Sequence, residues 1–90
     1  MPKITIEEID LTTYQVVVTD AHVTTHRVTV QISYALSLTA SKISTERLIY
    51  NAFAFLLARE PNTSILRSFE LSQIGHYFSD FEETMRDNLN

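Results

Sequence analysis

The sequence predicts an α+β fold: a small two- or three-stranded antiparallel sheet packed by one main helix and several short C-terminal helices. Three observations carry that expectation. The first third alternates apolar and polar residues with period two, as half-buried strands do. The run "LIYNAFAFLLA" from Leu48 to Ala58 is almost wholly apolar at helical length. The stretch from Arg59 to Glu83 then crowds one proline, one glycine and four serines among large apolar side chains, which suits several short helices.

The strands come first. In "TYQVVVTD" Tyr14, Val16 and Val18 share a face. In "THRVTVQISY" the residues His26, Val28, Val30, Ile32 and Tyr34 share one, opposite Arg27, Thr29, Gln31 and Ser33. Threonine and β-branched residues fill both runs, and the polar "TDAHVTT" between them predicts a hairpin turn. "KITIEEI" places Ile4 and Ile6 together as a third, edge strand.

Beyond Tyr34 the period is lost, and "SLTASKIST" reads as an irregular turn. Ser44 or Thr45 then caps a helix that carries Glu46 in its first turn and runs to Arg59. Pro61 ends it, because proline lacks an N–H and disfavours helical backbone at the residue before it. Ile65, Leu66 and Phe69 fit one or two further helical turns, and Leu71, Ile74, Tyr77 and Phe78 another short helix. "SDFE" reads as a capping box, Ser79 with Glu82, that places Asp80, Glu82 and Glu83 at the positive end of the last helix. Gly75, the only glycine, is expected to end a helix or to permit close backbone packing, with His76 at the surface.

The helix from Ser44 to Arg59 is apolar around too much of its circumference to be covered by one small sheet. The C-terminal helices are the first cover to expect, and a second copy of the chain the next. A homodimer is therefore expected, with Tyr50, Phe53, Phe55 and Leu57 as its candidate interface residues.

Ninety residues make one domain, 1–90, and 44% hydrophobic content is enough for a core, which argues against disorder. The absence of cysteine excludes disulfides, thiolate metal sites and a cysteine nucleophile. No apolar run approaches the roughly 20 residues of a membrane span. "MPKITIEEIDL" lacks the basic and apolar regions of a signal peptide, so a cytoplasmic setting is expected. The net charge is −4 and the seven basic residues are scattered singly, so nucleic acid is not an expected partner. "ELSQIGHYFSDFEETMR" can be written as a helix-turn-helix, but its second helix would present Asp80, Glu82, Glu83 and Asp87 to the phosphates.

"TTHRVTV" and "STERLIYNAFAFLLAREPNTSILRSFELSQIGHYFSDFEE" together resemble a family of small, functionally uncharacterised bacterial and archaeal proteins. The shared order is a His-containing strand with His26, the Phe53 to Leu57 run followed by Glu60 and Pro61, and Ser64 to Leu66. Phe69 and Leu71, then Ile74, Tyr77 and Phe78, complete it. Ser79 and Asp80 depart from the Pro-Glu expected there. The resemblance implies one compact α+β unit and brings no activity with it.

What reactive potential there is lies in the histidines. His22 and His26 on one extended strand stand about 13 Å apart, too far to share an ion. A bend at Ala21 to Val23 would bring Asp20, His22 and His26 together, and His76 is the remaining candidate ligand. The plainer reading makes them a turn histidine, a histidine at a sheet end and a surface histidine. The serines form no nucleophile elbow, one glycine cannot build a phosphate loop, and Glu7-Glu8 and Glu82-Glu83 read as solvated charge. No catalytic residue and no cofactor are expected. The sequence thus predicts a noncatalytic protein-interaction or self-association module; the alternative is a small-ligand or metal-binding protein, possibly an enzyme, that uses the histidines.

Overall fold

A computed structural model describes residues 2–89. Strands β1 (Lys3–Glu8), β2 (Thr13–Thr19) and β3 (Val23–Thr29) form an antiparallel meander. Two helices follow, α1 (Ile32–Thr39) and α2 (Thr45–Leu57), and then a 3₁₀ turn at Asn62–Ser64. Strand β4 (Ser68–Glu70), a second 3₁₀ turn at Leu71–Gln73, and helices α3 (Ile74–Tyr77) and α4 (Phe81–Asp87) complete the chain.

The α+β class stands, but the sheet is four-stranded and mixed, in the order β1-β2-β3-β4. This corrects the expected two or three antiparallel strands. β4 lies parallel to β3, with Val28 beside Phe69. A parallel neighbour needs a long crossover, which α1 and α2 supply. The expected helical turns over Ile65, Leu66 and Phe69 are therefore an extended segment. Their spacing suits a helix, but only Phe69 of β4 points inward, and one residue shows no period.

The alternation read from the first third is the core face of the sheet. Ile4 and Ile6 stand opposite Val18 and Val16, and Val16 stands opposite His26. The strand does not continue to Tyr34, however. The chain turns at Val30, whose N–H bonds to the Thr12 carbonyl at 2.7 Å, and α1 begins at Ile32 with its side chain exposed. Ala35, Leu38 and Thr39 are its buried stripe. No side chain caps its N-terminus, and it ends on left-handed Ala40 and Ser41, with φ of 50° and 60°, where glycine would be usual. Neither end carries the usual residues, so the sequence conceals the helix.

α2 begins as expected: the Ser44 hydroxyl accepts from the Arg47 N–H at 3.1 Å. Leu48, Ile49, Ala52, Phe53, Phe55 and Leu56 are buried along it. The Phe53 ring lies 5.5 Å from the His26 ring and 6.1 Å from that of Phe69, over the sheet. On its other side Phe55 meets Phe78 at 5.7 Å and Phe81 at 5.3 Å, both edge-on. The C-terminal helices thus close that side of α2.

Two smaller expectations are also corrected. Asp80, not Ser79, precedes α4, and no side chain caps it. Glu82 instead accepts from the Tyr34 hydroxyl at 2.9 Å and so ties α4 to α1. At Gly75 a side-chain β carbon would meet only Glu82 Oε2, at an ordinary 3.7 Å, so close packing does not explain the glycine.

Candidate functional site

The histidines do not share a site. His26 is fully buried, with Nδ1 2.7 Å from the Leu66 carbonyl and Nε2 2.8 Å from the Thr24 hydroxyl. A carbonyl can only accept, so Nδ1 carries the proton and Nε2 accepts from Thr24. Asn62 Nδ2 donates to Thr24 Oγ1 and to the His22 carbonyl, both at 2.9 Å, and lies 3.4 Å from the Val18 carbonyl. Burial lowers the His26 pKa from its ordinary value, the Leu66 bond opposes that shift, and the Arg67 charge adds to it. The ring is a neutral, fully bonded part of the interior.

Asp20 and His22 are exposed in the turn before β3, where the Asp20 N–H bonds to the His22 carbonyl at 3.2 Å. His76 is exposed in α3. Among the described residues no three His, Cys, Asp or Glu side chains are placed to hold a metal ion. Every buried side-chain polar atom among them has a hydrogen-bond partner, so the interior aims no free donor or acceptor at a substrate. Asn62 carries the network and is missed by reading the sequence, where Asn after Pro signals only a helix start.

The four proposed interface residues divide. Phe53 and Phe55 are core, which corrects their assignment to an intermolecular surface: the sheet covers one, and Phe78, Phe81 and Arg59 cover the other. The Arg59 guanidinium lies 3.6 Å from the Phe55 ring centre and bonds the Phe55 carbonyl at 3.0 Å and Asp80 at 3.1 Å. Tyr50 is 40% exposed and Leu57 half-buried.

Tyr50, Ala54, Leu57 and Ala58 form one stripe along α2, at helical spacing. With Pro2 and Ile4 they line a shallow depression of about 270 Å³ beside β1, the edge strand of the sheet. A second cleft, about 220 Å³, opens where α2 meets β4 and α3; Leu56, Ile65, Phe69, Ile74 and Phe78 contribute to its wall. The opposite sheet face is polar, with Thr5, Gln15 and Arg27 among its side chains.

No helix among the described residues is long and apolar enough to cross a membrane. Comparison with protein-family models, curated proteins and solved structures yields no match to this chain.

Proposed function

We propose that the chain is a noncatalytic self-association module, working as a homodimer in the cytoplasm. The observation that carries the reading is the apolar stripe of Tyr50, Ala54, Leu57 and Ala58, open to solvent beside an unpaired strand edge while Leu48, Ile49, Ala52, Phe53, Phe55 and Leu56 are buried in the chain's own core. An apolar stripe next to unpaired backbone groups supplies the two ingredients of association: area to remove from water, and donors and acceptors to pair. Burying about 400 Å² of such surface contributes about 10 kcal/mol before the loss of translational freedom, enough for micromolar association.

The test is sedimentation equilibrium across about 1 to 100 μM. A dimer mass at the upper end is expected, and Tyr50→Glu should shift the protein toward monomer with unchanged circular dichroism. A single species of about 10 kDa throughout would sink the reading.

A further inference from the structure

The hydrogen-bond phase of the sheet shows which backbone groups of β1 face outward. The Ile9 N–H bonds to the Thr13 carbonyl at 2.9 Å, in register with Glu7 opposite Gln15, Thr5 opposite Val17 and Lys3 opposite Thr19. In an antiparallel pair these backbone groups alternate between one neighbour and the other. The odd residues of β1 therefore bond to β2, and Ile4, Ile6 and Glu8 direct their N–H and C=O groups to the open edge. That edge carries a distinctive order: Lys3, Ile4, Thr5, Ile6, Glu7. Around Thr5 it is complementary to its own reverse.

We infer that β1 pairs antiparallel with β1 of a second copy, about a two-fold axis through Thr5, and so doubles the four-stranded sheet. This rests on the self-association reading and specifies its geometry. In this register Ile4 meets Ile6 of the second copy on the helix-covered face, and their outward backbone groups exchange hydrogen bonds. Lys3 meets Glu7 on the polar face, at both ends of the pair. Glu8 reaches the Pro2 carbonyl, and proline's missing N–H falls at the end of the ladder, where it forfeits a single bond. The two α2 helices come to lie on the same side, each with its Tyr50 and Leu57 stripe beside the joined strands.

Other registers lose this match. A slip of one copy by two residues sets Ile4 against Glu8 and Thr5 against Glu7. The opposite slip sets Lys3 against Thr5 and carries Glu7 past the paired segment. Any odd slip sets the outward groups of Ile4, Ile6 and Glu8 against odd residues whose groups are already bonded to β2, so no ladder forms. Within one chain Lys3 and Glu7 face the uncharged Thr19 and Gln15, so neither has an opposite charge across its strand pair. Charged residues on an edge can also serve to repel other strands. Such protection does not require that the charges be complementary about a two-fold axis, and it ends in a monomer.

The test uses the full chain, which has no cysteine of its own. Thr5 stands opposite its own copy in a non-hydrogen-bonded pair, where Cα atoms are about 4.5 Å apart, within disulfide range. Thr5→Cys should form a covalent dimer on mild oxidation, and Glu7→Cys should not, because the two copies of that position lie about 13 Å apart. Independently, Lys3→Glu or Glu7→Lys should each weaken the dimer about tenfold, and the two together should restore it. A dimer in sedimentation that neither cross-links through Thr5→Cys nor responds to the charge exchange overturns this geometry and leaves self-association standing. A monomer at 100 μM overturns both.

Discussion

His26 and Leu66, forty residues apart in the chain, are joined by a 2.7 Å bond from an imidazole N–H to a main-chain carbonyl. That bond and the Thr24 hydroxyl at Nε2 suit a ring with one proton, and burial disfavours a second. The folded state holds His26 neutral below its ordinary 6.5, whereas the unfolded chain protonates there. As pH falls through 6.5 toward the lower folded value, the unfolded state binds more protons and stability declines, by at most about 1.4 kcal/mol per pH unit. Urea midpoints from about pH 7.5 to about 5.5 should fall more steeply for the wild type than for His26→Gln. Parallel curves would show that the ring already holds its charge in the fold.

Asn62 donates to the hairpin turn and to Thr24 from a buried position. Asn62→Ala removes a buried donor from both groups, which keep only the bond from the Asp20 N–H to the His22 carbonyl and that between Thr24 and His26, and should lower stability by about 2 kcal/mol. The urea midpoint is the readout, and an unchanged value would mean that water replaces the amide.

Gly75 has room for a side chain and lies within α3. Gly75→Ala should therefore stabilise the fold, by up to about 1 kcal/mol, because alanine loses less freedom in a helix. A melting temperature a few degrees higher is expected, about 4 °C for 1 kcal/mol in a chain of this size. A clear fall would reveal a conformational need for glycine.

Ala40 ends α1 in left-handed backbone, its N–H bonded to the Leu36 carbonyl at 2.9 Å. A β carbon in that conformation is unfavourable by roughly 1 kcal/mol. Ala40→Gly removes the strain and gives back part of the gain through a freer unfolded chain, so a net stabilisation of about 0.5 kcal/mol is expected. Thermal melts of the pair decide it, and a lower melting temperature would refute the left-handed cap.

The parts of this fold that were legible in the sequence are those in which one face is buried over several residues. Tyr14, Val16 and Val18 alternate because one side of β2 is buried in the core, and Ser44 marks the start of α2 because its hydroxyl binds the first turn. α1 was hidden because Ile32 and Tyr34 extend the period of β3 by coincidence, Ile32 being exposed. β4 offers a single inward residue. At the candidate surface, the excess apolar circumference of α2 was legible and its division was not. Tyr50 and Phe55 look alike in a helical pattern, and only the arrival of Phe78, Phe81 and Arg59 over Phe55 separates them. Asn62 finds acceptors on a hairpin that precedes it by forty residues or so, which no local pattern encodes.

The parallel pairing of β4 with β3 also bears on how the molecule assembles. The meander of β1 to β3 is stitched by short turns and can zip from its own neighbours. β4 reaches β3 only across α1 and α2, and the same segment brings the Leu66 carbonyl to His26. That connection is the longest between any two paired strands of the sheet, and its closure carries the largest entropy cost among them. Until it is complete, β3 has an unpaired edge and His26 has no acceptor for Nδ1. The last strand of the sheet is thus also the cover of an edge that would otherwise be open to any strand.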